Sequence, residues 1–179
     1  MKFKGIILAG GKGTRLNPLT KSVNKHLLPI YNKPLIFYPL SILMLANIKE
    51  ILIIVNKEDY DSYKKLLGNG SRMGIKITYK IQEKPNGIPE AFTIGEDFIQ
   101  NSNVALILGD NFFYSQGLTE TLIQSQKNFN GAKIFCYKVK NPNEFGIAEI
   151  KNKKIISLKE KPNYSKSNLA ISGLYFFDK

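Results

Sequence analysis

Three near-continuous apolar runs, Lys4–Ala9, Glu50–Val55 and Val104–Leu108, constrain the fold more than any other feature of the sequence. Their apolar residues do not alternate with polar ones, which is typical of strands buried on both faces of a parallel sheet. Stretches with helical spacing of apolar residues occur between them, such as Pro39–Asn47 and Glu90–Phe98. This order of elements predicts an α/β fold with a Rossmann-like first half.

The pattern changes after residue 140. Gly146–Ile150, Ile155–Lys159 and Ala170–Phe177 are predicted strands with turns between them, as in hairpins. We therefore expect a three-layer α/β/α fold, whose central sheet is mainly parallel and has mixed or antiparallel later strands. No linker-like segment or internal repeat interrupts the pattern, so residues 1–179 are taken as one domain. The order of strands within the sheet does not follow from these patterns.

The chain is basic, with 26 Lys and Arg against 14 Asp and Glu and a formal net charge of +12. Such a charge attracts nucleic acid or small phosphorylated ligands. The lysines are scattered along the chain, and arginine occurs only at Arg15 and Arg72. Nucleic-acid readers concentrate basic residues on one face and use arginine freely. We therefore expect phosphorylated small molecules as ligands rather than nucleic acid.

Two further features bear on the location of the protein. The only cysteine is Cys136, so an internal disulfide is excluded, in agreement with a reducing compartment. No apolar run approaches the roughly 20 residues of a membrane span, and the apolar stretch Gly5–Ala9 is too short for the core of a signal peptide. We predict a cytoplasmic protein that does not associate with membranes.

A glycine-rich segment, Leu8–Leu16 (LAGGKGTRL), follows the first predicted strand directly. Glycines let backbone N–H groups approach a phosphate closely, and Arg15 adds a charged fork. The segment matches neither the dinucleotide fingerprint, since Leu16 replaces its third glycine, nor the spacing of a Walker loop. The glycines alone would fit a tight turn equally well. The nearby positive groups Arg15 and Lys25 favour a nucleotide-phosphate loop.

Several ordered motifs resemble the sugar-1-phosphate nucleotidyltransferase family. The first, LAGGKGTRLNPLT at Leu8–Thr20, is shared across the family, and KHLLPIYNKP at Lys25–Pro34 is closer to its thymidylyltransferase branch. The resemblance continues at Gln82, Pro85–Gly87, Leu108–Tyr114, Phe145–Gly146, Glu160–Pro162 and Gly173–Asp178. It covers the whole chain and implies the nucleotidyltransferase fold.

The resemblance also implies an activity. Family members join a nucleoside triphosphate to a sugar 1-phosphate and release pyrophosphate. For this chain the implied substrates are dTTP and glucose 1-phosphate, the product is dTDP-glucose and the cofactor is Mg²⁺. Use of UTP, another hexose 1-phosphate, and a nucleotide-binding module without turnover remain alternatives. The attacking phosphate is already an anion, so this chemistry requires positive charge rather than a strong base.

The resemblance assigns roles to matching residues. Arg15 and Lys25 are the predicted catalytic phosphate ligands, and Asp110 is the third catalytic residue and the predicted Mg²⁺ ligand. The sequence supports the last role, because Asp110 follows a buried strand and sites form at the carboxyl ends of such strands. His26 stands where this branch often has Gln, and it either lines the nucleotide pocket or is structural.

Two sets of binding residues follow from the same matches, with Gln82 and Gly87 assigned to the base. The predicted nucleotide-binding residues are Leu8, Gly10, Gly11, Gly13, Thr14, Arg15, Gln82, Pro85 and Gly87. The predicted sugar-phosphate residues are Gly146, Glu160 and Lys161.

Relatives continue well beyond Lys179, and their additional segment supplies further site residues and helices used in oligomerisation. We therefore expect a homo-oligomer in the full-length form. We expect these 179 residues to bind nucleotide but to turn over poorly, and we expect uncovered apolar faces near Leu174–Phe177.

Overall fold

The computed structural model describes residues 2–84, 86–152 and 154–179. The strands are β1 (Phe3–Leu8), β2 (Pro29–Ile30), β3 (Lys33–Pro34), β4 (Glu50–Val55), β5 (Lys76–Ile81), β6 (Asn103–Leu108), β7 (Ala132–Lys138), β8 (Gly146–Lys151), β9 (Lys154–Glu160) and β10 (Leu169–Phe177). The helices are α1 (Phe37–Leu45), α2 (Tyr60–Leu67), α3 (Glu90–Ile99) and α4 (Leu118–Gln126). Among the described residues, no helix is long and apolar enough to cross a membrane.

Eight of the strands form one sheet in the order β5-β4-β1-β6-β10-β8-β9, with β7 also paired to β10. The first four in this order are parallel to one another, and β10 is antiparallel to β6, β7 and β8. β8 and β9 form an antiparallel hairpin, as β2 and β3 do in a separate small sheet. The predicted change from parallel to antiparallel strands is therefore confirmed.

Helices cover both faces of the parallel strands. In β1, Phe3 and Ile7 face one apolar cluster, which contains residues of α1, α2 and α4. Ile6 faces a second cluster, which contains Ala91 and other residues of α3. Because successive side chains of a strand point to opposite faces, a continuous apolar run fills both clusters at once. The three-layer α/β fold is confirmed.

The expectation of uncovered apolar faces near the end of β10 is wrong. Leu174 and Phe176 are fully buried within the cluster on the side of α1, α2 and α4. On the other face, the ring of Phe177 lies 5.2 Å from that of Phe92 in α3, in an edge-to-face arrangement. Exposed apolar side chains occur instead in the β8–β9 hairpin, where Ile156 is 62% exposed.

β10 changes partners along its length, and this positions the later strands. Its second half pairs with β6 from Leu174 onward, while Leu169 and Ala170 pair with β8. The register with β7 shifts between Ile171 and Tyr175, and Gly173 adopts a positive φ of 70° there. Since β10 is antiparallel to β6, its first half extends past the carboxyl end of β6. The β8–β9 hairpin therefore lies beyond that end of the parallel sheet.

Candidate active site

Two cavities meet at the carboxyl end of β6, where Leu108 and Asp110 line both. The smaller, here called the loop pocket, has a volume of about 240 Å³ and is lined by Leu8, Gly11, Lys25, His26, Gln82, Gly87, Ile88, Leu108 and Asp110. The larger, here called the strand pocket, has a volume of about 690 Å³, and its walls include Phe113, Phe135, Tyr137, Phe145, Ile171 and Tyr175. A third cavity of about 1040 Å³ lies near the start of β1, around Lys2 and Lys127, and its described lining contains none of the predicted site residues.

The glycines after β1 make room for Lys25. A Cβ atom at Gly13 would lie 2.9 Å from the Cβ of Lys25, and one at Gly11 would lie 3.6 Å from its Cε. Gly13 also adopts a positive φ of 62°, a conformation that disfavours other residues. Two of the predicted loop glycines therefore allow the lysine side chain to lie against the loop.

Lys25 and Asp110 form an ion pair at the junction of the two pockets. Lys25 begins a one-turn 3₁₀ helix, Lys25–Leu27, and Asp110 follows the end of β6. Burial opposes ionisation of Asp110, but the hydrogen bond and charge of Lys25 outweigh it and hold the carboxyl pKa below its usual range. Two of the three predicted catalytic residues thus lie together as an oppositely charged pair.

Asp110 has the chemistry of a magnesium ligand. Mg²⁺ usually binds one or two protein carboxylates and completes its coordination with water and phosphate oxygens. Within residues 2–84, 86–152 and 154–179, no cluster of three or more His, Cys, Asp and Glu side chains could hold a metal. The single carboxylate of Asp110 fits a cation that is shared with substrate phosphates.

His26 both lines a pocket and has a structural role, which were the two alternatives left open by the sequence. It lines the loop pocket, and its side chain is only 2% exposed. Its Nδ1 lies 2.8 Å from Asn24 Oδ1 and 3.2 Å from the Tyr63 hydroxyl. Burial, together with the positive charge of Lys25, lowers the pKa of His26 to about 4. His26 is therefore a neutral side chain, held by hydrogen bonds, in the wall of the pocket.

Gln82 follows β5 and is buried beside the glycine loop. A Cβ atom at Gly10 would lie 2.7 Å from Gln82 Oε1, so the absence of a side chain at Gly10 permits this approach. The side-chain amide of Gln82 donates a hydrogen bond to Glu90 at the start of α3. Sequence reasoning missed Glu90, although an acidic residue in the first turn of a helix, close to a base-binding motif, was a usable signal.

Four predicted nucleotide residues, Gly10, Gly13, Thr14 and Arg15, do not line the loop pocket, and a fifth lies outside the described residues. Thr14 and Arg15 are exposed on the one-turn 3₁₀ helix Thr14–Leu16, at the outer end of the glycine loop. Pro85 lies outside the described residues. The loop pocket therefore brings together Leu8, Gly11, Lys25, Gln82, Gly87 and Asp110 from the predicted set.

The predicted sugar-phosphate residues Gly146, Glu160 and Lys161 do not line the strand pocket, but they adjoin Phe145 at its rim. Gly146 and Glu160 pair across the β8–β9 hairpin, and the Lys161 N–H donates to the Phe145 carbonyl at 3.0 Å. Phe145 itself lines the pocket, whereas Glu160 and Lys161 are exposed. Burial raises the pKa of Tyr175 in the pocket wall, and the negative charge of Glu160 adds to this effect.

Asn111 connects the two halves of the site. Its side-chain amide donates to the backbone carbonyl of Ser172, beside the bend of β10 at Gly173. The segment that carries Asp110 is thereby fixed to the strand from which the β8–β9 hairpin extends. Sequence patterns do not predict this contact, because it depends on where β10 lies relative to the end of β6.

The sequence has close relatives among curated proteins. Glucose-1-phosphate thymidylyltransferase of Neisseria meningitidis serogroup A is 55% identical, over 98% of this chain and 62% of that protein. The enzyme of the same name from Xanthomonas campestris pv. campestris (strain B100) is 48% identical, over 98% of this chain and 60% of that protein. The chain thus spans about three fifths of the length of these relatives.

Solved structures have the same fold. A protein described as a glucose-1-phosphate thymidylyltransferase from Bacillus anthracis, in complex with a sucrose, is 41% identical with a TM-score of 0.90, over 98% of this chain and 71% of that one. A UDP-glucose pyrophosphorylase in complex with UDP-glucose is 27% identical with a TM-score of 0.81, over 99% of this chain and 76% of that one. The sequence matches the family described as nucleotidyl transferase over residues 4–179. Given this match and the likeness in sequence and structure, the chain belongs to the nucleotidyl transferase family.

Proposed function

We propose that the protein transfers a thymidylyl group from dTTP to glucose 1-phosphate, forming dTDP-glucose and pyrophosphate. The observation that carries the proposal is the Lys25–Asp110 pair at the junction of the loop pocket and the strand pocket. A reaction between two phosphate anions requires compensating charge where they meet. Curated relatives that are 55% and 48% identical bear the name of this activity.

The nucleotide occupies the loop pocket in this proposal. Gln82 and Gly87 contact the base edge, and Leu8 supplies an apolar wall. Gly10, Gly11 and Gly13 present the backbone of the loop to the triphosphate, with Thr14 and Arg15 at its outer end. Arg15 is exposed, so its guanidinium is free to reach the terminal phosphates.

The chemical step is an in-line displacement at the α-phosphorus. A phosphate oxygen of the sugar 1-phosphate forms the new P–O bond, the bond to the β-phosphate bridging oxygen breaks, and pyrophosphate leaves with that electron pair. Lys25 neutralises phosphate oxygens near the reacting phosphorus, which requires its ammonium to exchange Asp110 for phosphate. Asp110 is the residue that would hold Mg²⁺, and the ion would supply Lewis-acid stabilisation of the developing charge.

The sugar phosphate occupies the strand pocket. Gly146 and Glu160 lie at its rim, where the carboxylate can accept hydrogen bonds from sugar hydroxyls, and Lys161 supplies a positive charge for the phosphate. The tie between Asn111 and Ser172 keeps this rim in a fixed position relative to Asp110. Correct relative placement of two substrates contributes much of the rate of such a reaction.

UTP is the second candidate nucleotide. The UDP-glucose pyrophosphorylase structure shares the fold with a TM-score of 0.81, and uracil presents the same hydrogen-bonding edge as thymine. dTTP is favoured because the thymidylyltransferase relative is 55% identical, whereas the pyrophosphorylase is 27% identical. The proposal also includes a homo-oligomer in the full-length form and a cytoplasmic location.

The test is a pyrophosphate-release assay on the protein at the length of its curated relatives. Glucose 1-phosphate is supplied with dTTP, UTP, dCTP or ATP, with Mg²⁺ or with a chelator. We expect turnover to be fastest with dTTP and to stop with the chelator. Faster turnover with UTP than with dTTP would show that UTP is the nucleotide substrate. Absence of turnover with every pair, at saturating Mg²⁺, would overturn the proposal.

A further inference from the structure

The carboxylate of Glu90, at the start of α3, accepts hydrogen bonds from two residues that precede the helix, Gln82 and Asn86. Glu90 Oε2 accepts from Gln82 Nε2 at 2.5 Å and from the Asn86 backbone N–H at 3.3 Å. Glu90 Oε1 accepts from Asn86 Nδ2 at 2.9 Å. These hydrogen bonds hold the pKa of Glu90 below its usual range, so the group is a carboxylate with no proton to donate.

An ionised carboxylate determines which way the neighbouring amide turns. Only the NH₂ of Gln82 can face Glu90, since a carbonyl oxygen in its place would meet a second acceptor. The carbonyl oxygen of Gln82 then points toward the glycine loop, where it would lie 2.7 Å from a Cβ atom at Gly10. Glu90 lies outside the described lining of the loop pocket, whereas Gln82 and Gly11 are part of it.

We infer that Glu90 is a positioning residue that fixes the Gln82 amide with its carbonyl oxygen toward the base, and so selects a base with an imide N–H over one with a bare ring nitrogen. The inference rests on the proposed function, because it assigns the loop pocket to the base. Thymine and uracil carry a donor at N3, which the Gln82 carbonyl accepts. Cytosine carries an acceptor at N3, so the lone pair of that nitrogen faces the lone pairs of the Gln82 carbonyl oxygen.

The probes are dUTP and dCTP, because these pyrimidine nucleotides differ only at the edge in question. Binding to the purified protein is measured by calorimetry for wild type and Glu90→Gln. In the variant the new amide can donate as well as accept, so the Gln82 amide is free to turn over. We expect the dUTP-to-dCTP affinity ratio to fall by about tenfold, the size of one lost discriminating hydrogen bond, with dCTP binding more tightly than before. A general loss of structure would weaken both nucleotides and would not improve dCTP.

Three further variants separate positioning from other effects. Glu96→Gln, exposed on the same helix, keeps the wild-type ratio and controls for the loss of a negative charge. In a Gln82→Ala background, Glu90→Gln changes the ratio no further if Glu90 acts through Gln82. Glu90→Ala, which also releases the amide, lowers the ratio in the same direction, and thermal unfolding checks that each variant is folded.

The outcomes distinguish this inference from the proposed function. An unchanged ratio in both Glu90 variants, an equal loss of affinity for both nucleotides, or an effect that persists without the Gln82 side chain would each overturn the inference. The proposed function would survive these results provided that wild type still binds dTTP. If wild type binds neither dTTP nor dUTP, the proposed function fails first and the inference fails with it.

Discussion

Lys25 Nζ contacts the carboxylate of Asp110, which lies 85 positions later in the sequence. The two side chains are 20% and 38% exposed, so ligands can reach both. Each group neutralises the other where two pockets join. In the proposed reaction, phosphate competes for Lys25 and a divalent cation competes for Asp110, so substrate binding separates the pair.

Replacement of Asp110 by Asn should abolish Mg²⁺-dependent turnover and leave the fold intact. Asn has nearly the same shape but lacks the negative charge that holds the metal. The measurement is pyrophosphate release across a Mg²⁺ titration, with circular dichroism to confirm folding. Asp61→Asn, on the exposed side of α2, is the matched control and should behave as wild type. A near-normal rate at low Mg²⁺ would remove Asp110 from the metal site.

Lys25→Ala should lower turnover by at least about a hundredfold, because it removes positive charge from the place where phosphate charge develops. Lys25→Arg should restore only part of the rate, since a planar guanidinium does not replace a compact ammonium packed against Gly13. Steady-state kinetics of both variants, beside exposed Lys57→Ala, provide the comparison. Full activity in Lys25→Ala would contradict the assigned role.

Gly13→Ala and Gly74→Ala form a matched pair. Both glycines have a positive φ, 62° and 70°, so each substitution should lower the free energy of unfolding by about 1–2 kcal/mol. A Cβ atom at Gly13 would also meet Lys25 at 2.9 Å, whereas one at Gly74 has nothing within 4 Å. We therefore expect only Gly13→Ala to weaken dTTP binding. Urea denaturation and calorimetry test this, and equal loss of binding in both variants would contradict it.

Acid should destabilise the protein through His26. Its pKa is about 4 in the folded protein against the ordinary 6.5, so between these values the unfolded chain binds a proton that the folded protein does not. The free energy of unfolding should therefore decrease as pH falls from about 6.5 toward 4. For this group, which is 2% exposed, the loss between pH 7 and pH 5 is about 2 kcal/mol.

The variant His26→Gln isolates that effect. Gln carries no titrating group, so its stability should change less between pH 7 and pH 5 than that of wild type. Chemical denaturation is measured at both pH values with a chelator present. The charges of Lys25 and Asp110 act on His26, and a cation bound at Asp110 would change the pKa of His26. Equal acid sensitivity of the two proteins would assign the effect to another group.

These 179 residues should bind dTTP but hold glucose 1-phosphate weakly. Glu160 and Lys161 are exposed at the rim of the strand pocket, so their contacts with a sugar phosphate compete with water. Effective molarity falls when one of two reactants is loosely held, and turnover should be correspondingly slow. Calorimetry with each substrate, and pyrophosphate release beside a protein of the relatives' length, provide the test. Comparable rates from the two proteins would contradict this expectation.

Sequence patterns predict the strands of the parallel sheet well for a physical reason. β4, for example, was predicted with the bounds that the structure shows, Glu50–Val55, because a strand buried on both faces must be apolar at nearly every position. The same property prevents a prediction of which strands pair, because apolar runs of similar length fit next to one another equally well. The place of β10 between β6 and β7 therefore comes only from the structure.

The candidate site shows the same limit. Lys25 and Asp110 were both singled out, but their direct contact depends on how two distant segments meet at the end of β6. The role of Glu90 depends on the contact of Gln82 with the start of α3, and apolar periodicity carries no information about such a contact. Arg15 was expected among the phosphate ligands, and its exposed position leaves that role as a prediction.

The β8–β9 hairpin joins the rest of the sheet through a short ladder, in which Leu169 and Ala170 pair with Ala148 and Ile147. Its apolar outer face is already exposed, as at Ile156. Insertions, deletions or replacement of this hairpin would leave the glycine loop and Gln82 on their own strands. If the proposed function holds, acceptor choice can therefore diverge in evolution while nucleotide choice is retained. A laboratory graft of a foreign hairpin at residues 146–160 would then be the route to new nucleotide sugars.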